Sequence, residues 1–218
     1  MQQLLTGKKR FAGFEGEWEE VQFDEIVVGT QLGTTERKKE SNEVECIPLL
    51  KMGNLTWGKF SYDKLETIPR NKAEKSLLLR KGDFLFNTRN TPDLVGKSAV
   101  WKGKYELATF DNNINRIHFS DLVNNEYMCL YLTNGKGKAL IQSLPAGSTS
   151  VAAIYWKDLK NIRIKLPALK EQNKVSELLK VSDNELEILE FKAKQFKQEK
   201  KALMQQLLTG KRRVKLDA

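Results

Sequence analysis

The chain has 218 residues, 40% apolar and 30% charged, with ten Phe, four Trp and five Tyr. That is enough for one ordinary core plus an appendage, and it excludes a chain disordered throughout. A formal net charge of +9 points towards a polyanionic partner.

Cys46, Cys129 and the single His118 cannot build a disulfide framework or an ordinary structural zinc site. They read as free thiols of a reducing cytoplasm and a structural histidine, with no metal. No apolar run approaches the ~20 residues that cross a bilayer. The opening MQQLLTGKKRF lacks the order of a signal peptide, so the expectation is a soluble cytoplasmic protein with no membrane partner.

From residue 18 to 169, short apolar runs alternate with Gly, Asn, Pro and Ser, the pattern of strands and turns. Strands are predicted at Ile47–Leu50, Gly82–Phe86, Ser98–Trp101 and Ile162–Leu166, and short helices at Asn125–Thr133 and Lys136–Ser143. Composition changes near Pro167. Residues 170–208 contain no Gly or Pro and are mostly good helix formers, which predicts one long helix before a basic tail at 209–218. The fold class is therefore α+β, a strand-rich mixed domain followed by one long C-terminal coiled-coil helix.

That helix carries a seam. Val175, Leu179, Ser182, Leu186, Leu189, Ala193, Phe196, Lys200, Leu203 and Leu207 alternate spacings of four and three. At ~1.5 Å per residue the helix is about 55 Å long, more than its own domain can cover, so the stripe calls for a second helix. Leu179, Leu186, Leu189, Phe196, Leu203 and Leu207 are the candidate dimerisation residues. Asp183, Glu185, Glu187 and Glu190 precede Lys192, Lys194, Lys197, Lys200 and Lys201, offset only by Glu199. Parallel copies would align like charges, whereas antiparallel copies crossing near residue 190 place acid on base.

Residues 1–17 hold an internal repeat. MQQLLTGK at 1–8 recurs letter for letter at 204–211, and Arg10 then matches Arg213. The start of the chain reads as the end of another copy of the same unit, so that two copies about a two-fold axis would rebuild a tandem.

These features together resemble the specificity subunit of type I restriction-modification enzymes, in a half-length form. The resemblance rests on Trp18-Glu19-Glu20-Val21, on Ile47 to Leu55 with Gly58, and on Leu79 to Phe86 leading to Gly96. It continues through Ala146-Gly147-Ser148-Thr149-Ser150, Leu159 to Pro167, Glu171-Gln172 and the helix end at Lys201 to Arg213. It implies that 18–169 is a target recognition domain reading one half of a split double-stranded DNA site. The helix 170–208 would serve as spacer and dock for methyltransferase (M) subunits. Full-length members carry two recognition domains and two helices, so one of each implies a homodimer.

No catalytic constellation is found, and the reading is of a noncatalytic recognition subunit. Gly96-Lys97-Ser98 matches the end of a P-loop, but Thr91 stands where the earlier glycine is required. Glu43, Glu45 and Lys51 have only generic spacing. The resemblance places S-adenosylmethionine, ATP and Mg²⁺ on the M subunits and the restriction/translocase (R) subunits, with no cofactor here. The alternatives are a stand-alone restriction or methylation enzyme with a degenerate site, and a plain coiled-coil scaffold.

Residues 1–170 carry a net +6, which attracts phosphates without choosing sequence. Choice needs polar side chains on loops that reach base edges. By composition the DNA-binding candidates are Lys38, Lys39, Lys51, Asn54, Thr88, Arg89, Asn90, Lys97, Asn113, Arg116, Ser148 and Thr149. Arg89 and Asn90 are the expected base readers, and Lys38, Lys39 and Lys97 the expected phosphate contacts.

Overall fold

The computed structural model of the chain describes residues 2–37, 45–148 and 150–213. Two compact units emerge, Met1–Ser176 and Glu177–Ala218. The predicted helix boundary at 170 therefore differs from the boundary between units, because the first turns of the helix are built into the first unit.

The first unit opens with a short helix, α1 (Gln2–Leu5), and then β1 (Glu19–Gln22). A four-stranded antiparallel sheet is its centre, in the order β2 (Val27–Leu32), β9 (Ile114–Phe119), β5 (Phe84–Asn87), β7 (Ser98–Val100). The Phe-Leu-Phe run makes β5 an inner strand buried on both faces, with Phe84 opposite Ile117 and Val100. A second sheet joins β4 (Glu66–Pro69), β3 (Cys46–Leu50) and β8 (Thr109–Phe110), with β3 antiparallel to β4 and parallel to β8. The main core fills the space they share. Leu50, Leu85, Trp101 and Phe110 are buried in it, and Phe60 meets Trp101 edge-on at 5.3 Å.

A third sheet is small. It orders β10 (Ala146–Gly147), β11 (Ala152–Ala153) and β6 (Arg89–Asn90), all antiparallel. Gly96 closes the turn behind β6 at a φ of +87°, and a Cβ there would stand 2.3 Å from Ile141. Only glycine lets α3 (Gly135–Gln142) approach that closely. The preceding α2 (Asn125–Thr133) starts where Asn124 accepts the Tyr127 amide at 2.9 Å, an N-cap bond.

After α4 (Trp156–Leu159), β12 (Arg163–Leu166) pairs antiparallel with β1. Past Pro167, α5 runs from Leu169 to Leu208. The Glu-Gln pair that opens it has a structural reason. Buried Gln172 donates to the carbonyls of Leu122 and Pro167, both at 2.9 Å, and accepts the Asn124 amide at 2.9 Å. Buried Glu171 takes a bidentate bond from Arg10 at 2.9 and 2.7 Å, and this pairing raises the Arg10 pKa.

Of the seam residues, Leu186, Leu189, Phe196, Leu203 and Leu207 are 41% to 67% exposed. Leu179 corrects the expectation, since it is only 5% exposed, and Val175 is buried with it. The open seam thus begins beyond them. Val181, Ile188 and Phe191 form a second exposed apolar stripe on the same helix. Among the described residues, no helix is long and apolar enough to cross a membrane.

Candidate nucleic-acid interface

Several of the candidates meet around Asn87, which adjoins Thr88 but was not itself chosen. Asn87 ends β5, fully buried, where the apolar run stops. Its side-chain amide donates to the carbonyls of Arg89 at 2.9 Å and Asn113 at 3.0 Å, and its Oδ1 accepts Nδ2 of Asn90 at 3.0 Å. Its main chain bonds the 96–97 segment, receiving Gly96 N at 2.9 Å and donating to Lys97 O at 2.8 Å. One buried amide therefore ties the Thr88–Asn90, Lys97 and Asn113 segments together.

A buried carboxylate organises the neighbouring turn. Asp111 accepts the Asn113 backbone N–H and its side-chain amide, both at 3.1 Å. Burial pushes the Asp111 carboxyl above the usual carboxylate range, opposed by the Asn113 bonds and by the charges of Arg37 and Lys51. Arg37 joins the cluster by donating to Asn112 Oδ1 at 2.9 Å. Neither Arg37 nor Asn112 was among the candidates, although each adjoins one, Lys38 and Asn113.

The third sheet adds the serine turn. Asn90 lies opposite Ala152, and Gly147 lies opposite the same alanine from the other side. Ser148 and Val151 therefore flank the sheet at the end where Asn90 stands. Within it, Ser148 Oγ accepts Val151 N at 3.2 Å and lies 3.2 Å from Ser150 Oγ.

Four candidates already have internal partners. Arg116 is a correction. It is buried in the sheet, donating to Asp83 at 2.9 Å, to Leu78 O at 3.0 Å, and to Gln31 and the Ser76 carbonyl. Asn54 is a second correction. It is buried and clamps its own loop, donating to Ser61 O at 3.1 Å and Asp63 O at 3.3 Å and accepting Lys51 N at 2.9 Å. Lys51 pairs with Glu66 at 2.8 Å, and Thr88 donates to Asn113 O at 3.0 Å.

Asn90 also spends its oxygen locally, accepting Thr91 N at 2.9 Å. Lys97 is half-buried, and loss of solvent lowers its pKa, so an anion would restore what burial takes away. Arg89 and Ser148 stay exposed, and the Arg89 guanidinium has no ion pair or hydrogen bond among the described residues. Lys38, Lys39 and Thr149 lie outside the described residues. Among those described, no group of three or more His, Cys, Asp or Glu is placed to hold a metal.

The chain thus combines a strand-rich α+β unit carrying tied polar loops with a long helix carrying an exposed apolar ridge. Residues 15–198 match the type I restriction modification DNA specificity domain, and the chain belongs to that family. It is 32% identical over 206 residues to the type I restriction enzyme MjaVIII specificity subunit of Methanocaldococcus jannaschii, covering 91% of this chain and 47% of that protein. It is 24% identical over 196 residues to the putative MjaX specificity subunit of the same organism, covering 88% and 46%. The chain thus spans about half the length of these curated relatives.

Solved structures share the fold. One, described as showing complex assembly and conformational transition of the type I R-M system, aligns with a TM-score of 0.62 at 19% identity, over 94% of this chain and 50% of that one. The HsdS subunit from Thermoanaerobacter tengcongensis aligns with a TM-score of 0.54 at 17% identity, over 87% and 43%.

Proposed function

We propose that this chain is a noncatalytic DNA-specificity module that reads one half of a split double-stranded site and pairs with a second copy through antiparallel α5 helices. The single observation that carries the DNA reading is the Asn87-centred cluster, which ties several polar loops together while the Arg89 guanidinium has no partner among the described residues. Loops fixed before binding lose little entropy on contact, and an unpaired guanidinium suits a phosphate or a guanine edge.

The pairing is supported by the exposed ridge from Leu186 to Leu207 and by the acid-then-base order along it. Two identical heads would read identical half-sites, giving a two-fold symmetric target with an unread spacer. Methyl transfer and ATP-driven cleavage, with S-adenosylmethionine, ATP and Mg²⁺, fall to partner M and R chains in the cytoplasm.

Selection from random DNA, with the methyltransferase chain present, should return a symmetric split sequence. Arg89→Ala should weaken its binding about tenfold, within the ~1–3 kcal/mol of one base contact. An asymmetric site, no site, or methylation by the chain alone would defeat this reading.

A further inference from the structure

Residues 2–9 and 205–212 end their helices in the same turn. Thr6 Oγ1 donates to Gln2 O at 2.8 Å, and Thr209 Oγ1 to Gln205 O at 2.7 Å. Lys9 N reaches Gln3 O at 3.0 Å, and Arg212 N reaches Gln206 O at 3.1 Å. Gly7 and Gly210 both turn the chain in the left-handed region, at φ 68° and 69°.

Their surroundings differ. In the first copy Leu5 is 4% exposed, and a Cβ on Gly7 would stand 3.2 Å from the Trp18 ring. A Cβ on Gly135 would lie 3.6 Å from Gln2. A cavity of about 270 Å³ remains between this segment and the α2–α3 junction at Tyr131 and Asn134. Arg10 completes the seat through buried Glu171. In the second copy Leu208, the counterpart of Leu5, is 83% exposed. Gly210 has nothing within 4 Å of where its Cβ would be, and Arg213, the counterpart of Arg10, is exposed.

We infer that the groove between Trp18, the α2–α3 junction and Glu171 is a receptor for Met204–Arg213 of a second copy. The observations carry this occupant because the segment seated in the groove has its sequence, its backbone turn and its arginine. Within the single chain the N-terminal copy fills the groove. Residues 2–10 act as an internal plug, and exchange replaces one set of contacts by the same set from another molecule, as in domain swapping. The plug is tethered, so it competes at high effective concentration, and the groove opens to the second copy only when the plug leaves. This goes beyond the proposed function and needs neither DNA reading nor the α5 seam.

The test measures anisotropy of a fluorescent Met204–Arg213 peptide against the unaltered chain, a Leu5→Asp chain and a chain lacking residues 2–8. Both altered chains should bind it at least tenfold more tightly than the unaltered chain, and a Leu208→Asp peptide should bind at least tenfold more weakly. The deletion keeps the test open where Leu5→Asp fails to fold. Equal binding by all chains, no binding by the folded altered chains, or equal binding of the two peptides would overturn the inference. Sedimentation of the unaltered chain separates this from the antiparallel pairing. A monomer whose altered forms bind the peptide defeats the pairing alone, and a dimer whose altered forms ignore it defeats the receptor alone.

Discussion

The loop cluster around Asn87 and the length of α5 beyond Leu179 are in opposite chemical states. The loops have consumed most of their polar groups internally, so their shape is set before any partner arrives. The helix has large apolar side chains in solvent, from Leu186 to Leu208, and its stability in a packed form depends on what covers them. A surface that must discriminate is best held rigid, whereas one that must associate can leave its stabilisation to the partner.

The largest effect should come from breaking the head from within. Arg116→Ala leaves the largely buried carboxylate of Asp83 without its guanidinium, and denaturant titration should show a loss of about 3 kcal/mol or more. A loss of that size, with α5 helicity retained by circular dichroism, would confirm that Arg116 supports the sheet and does not face DNA.

Attacking the helix should do the reverse. Leu189→Asp with Phe196→Asp places four charges in a paired seam, and self-association by ultracentrifugation should weaken more than a hundredfold, at least ~3 kcal/mol. The head should remain folded, and Cys129 reports on it. Burial pushes that thiol up to about 12, so it should stay unalkylated at pH 8 in the double variant.

A smaller change tests the preorganisation itself. Asn87→Ala frees the carbonyls of Arg89 and Asn113 and should cost about 2 kcal/mol of stability by chemical denaturation. Half-site affinity should fall with it, although Asn87 is buried and touches no DNA in the proposed reading.

The smallest effect is a slope. Because burial raises the Asp111 carboxyl, the folded chain holds that proton at pH values where the unfolded chain releases it. Its contribution to stability is therefore greatest below the unfolded carboxylate value and declines as pH rises through the raised folded value. Asp111→Asn should flatten that part of the stability–pH curve.

The helix was legible because 39 residues without Gly or Pro leave the backbone little alternative, and the observed α5 begins one residue from the predicted start. Strands β3, β5, β7 and β12 and helices α2 and α3 were legible from local pattern, whereas β2 and β9 of the central sheet were not read. The site was legible only as loops. Arg116 and Asn54 looked like readers because of their chemistry, yet their partners are set by strand register and loop closure. Asp83 lies 33 residues from Arg116, and nothing local announces that pairing. Asn87 carried one signal, a polar side chain at the end of Phe84-Leu85-Phe86, which marks a buried amide in need of partners.

The Asn87 amide grips the main chain at position 89 and never its side chain. Whatever residue occupies that position, the carbonyl is still there to be held. Position 89 can thus be exchanged, charged for neutral or long for short, on an unchanged foundation. If position 89 reads a base, as proposed, a single codon there would change the sequence read while the fold stays as it is.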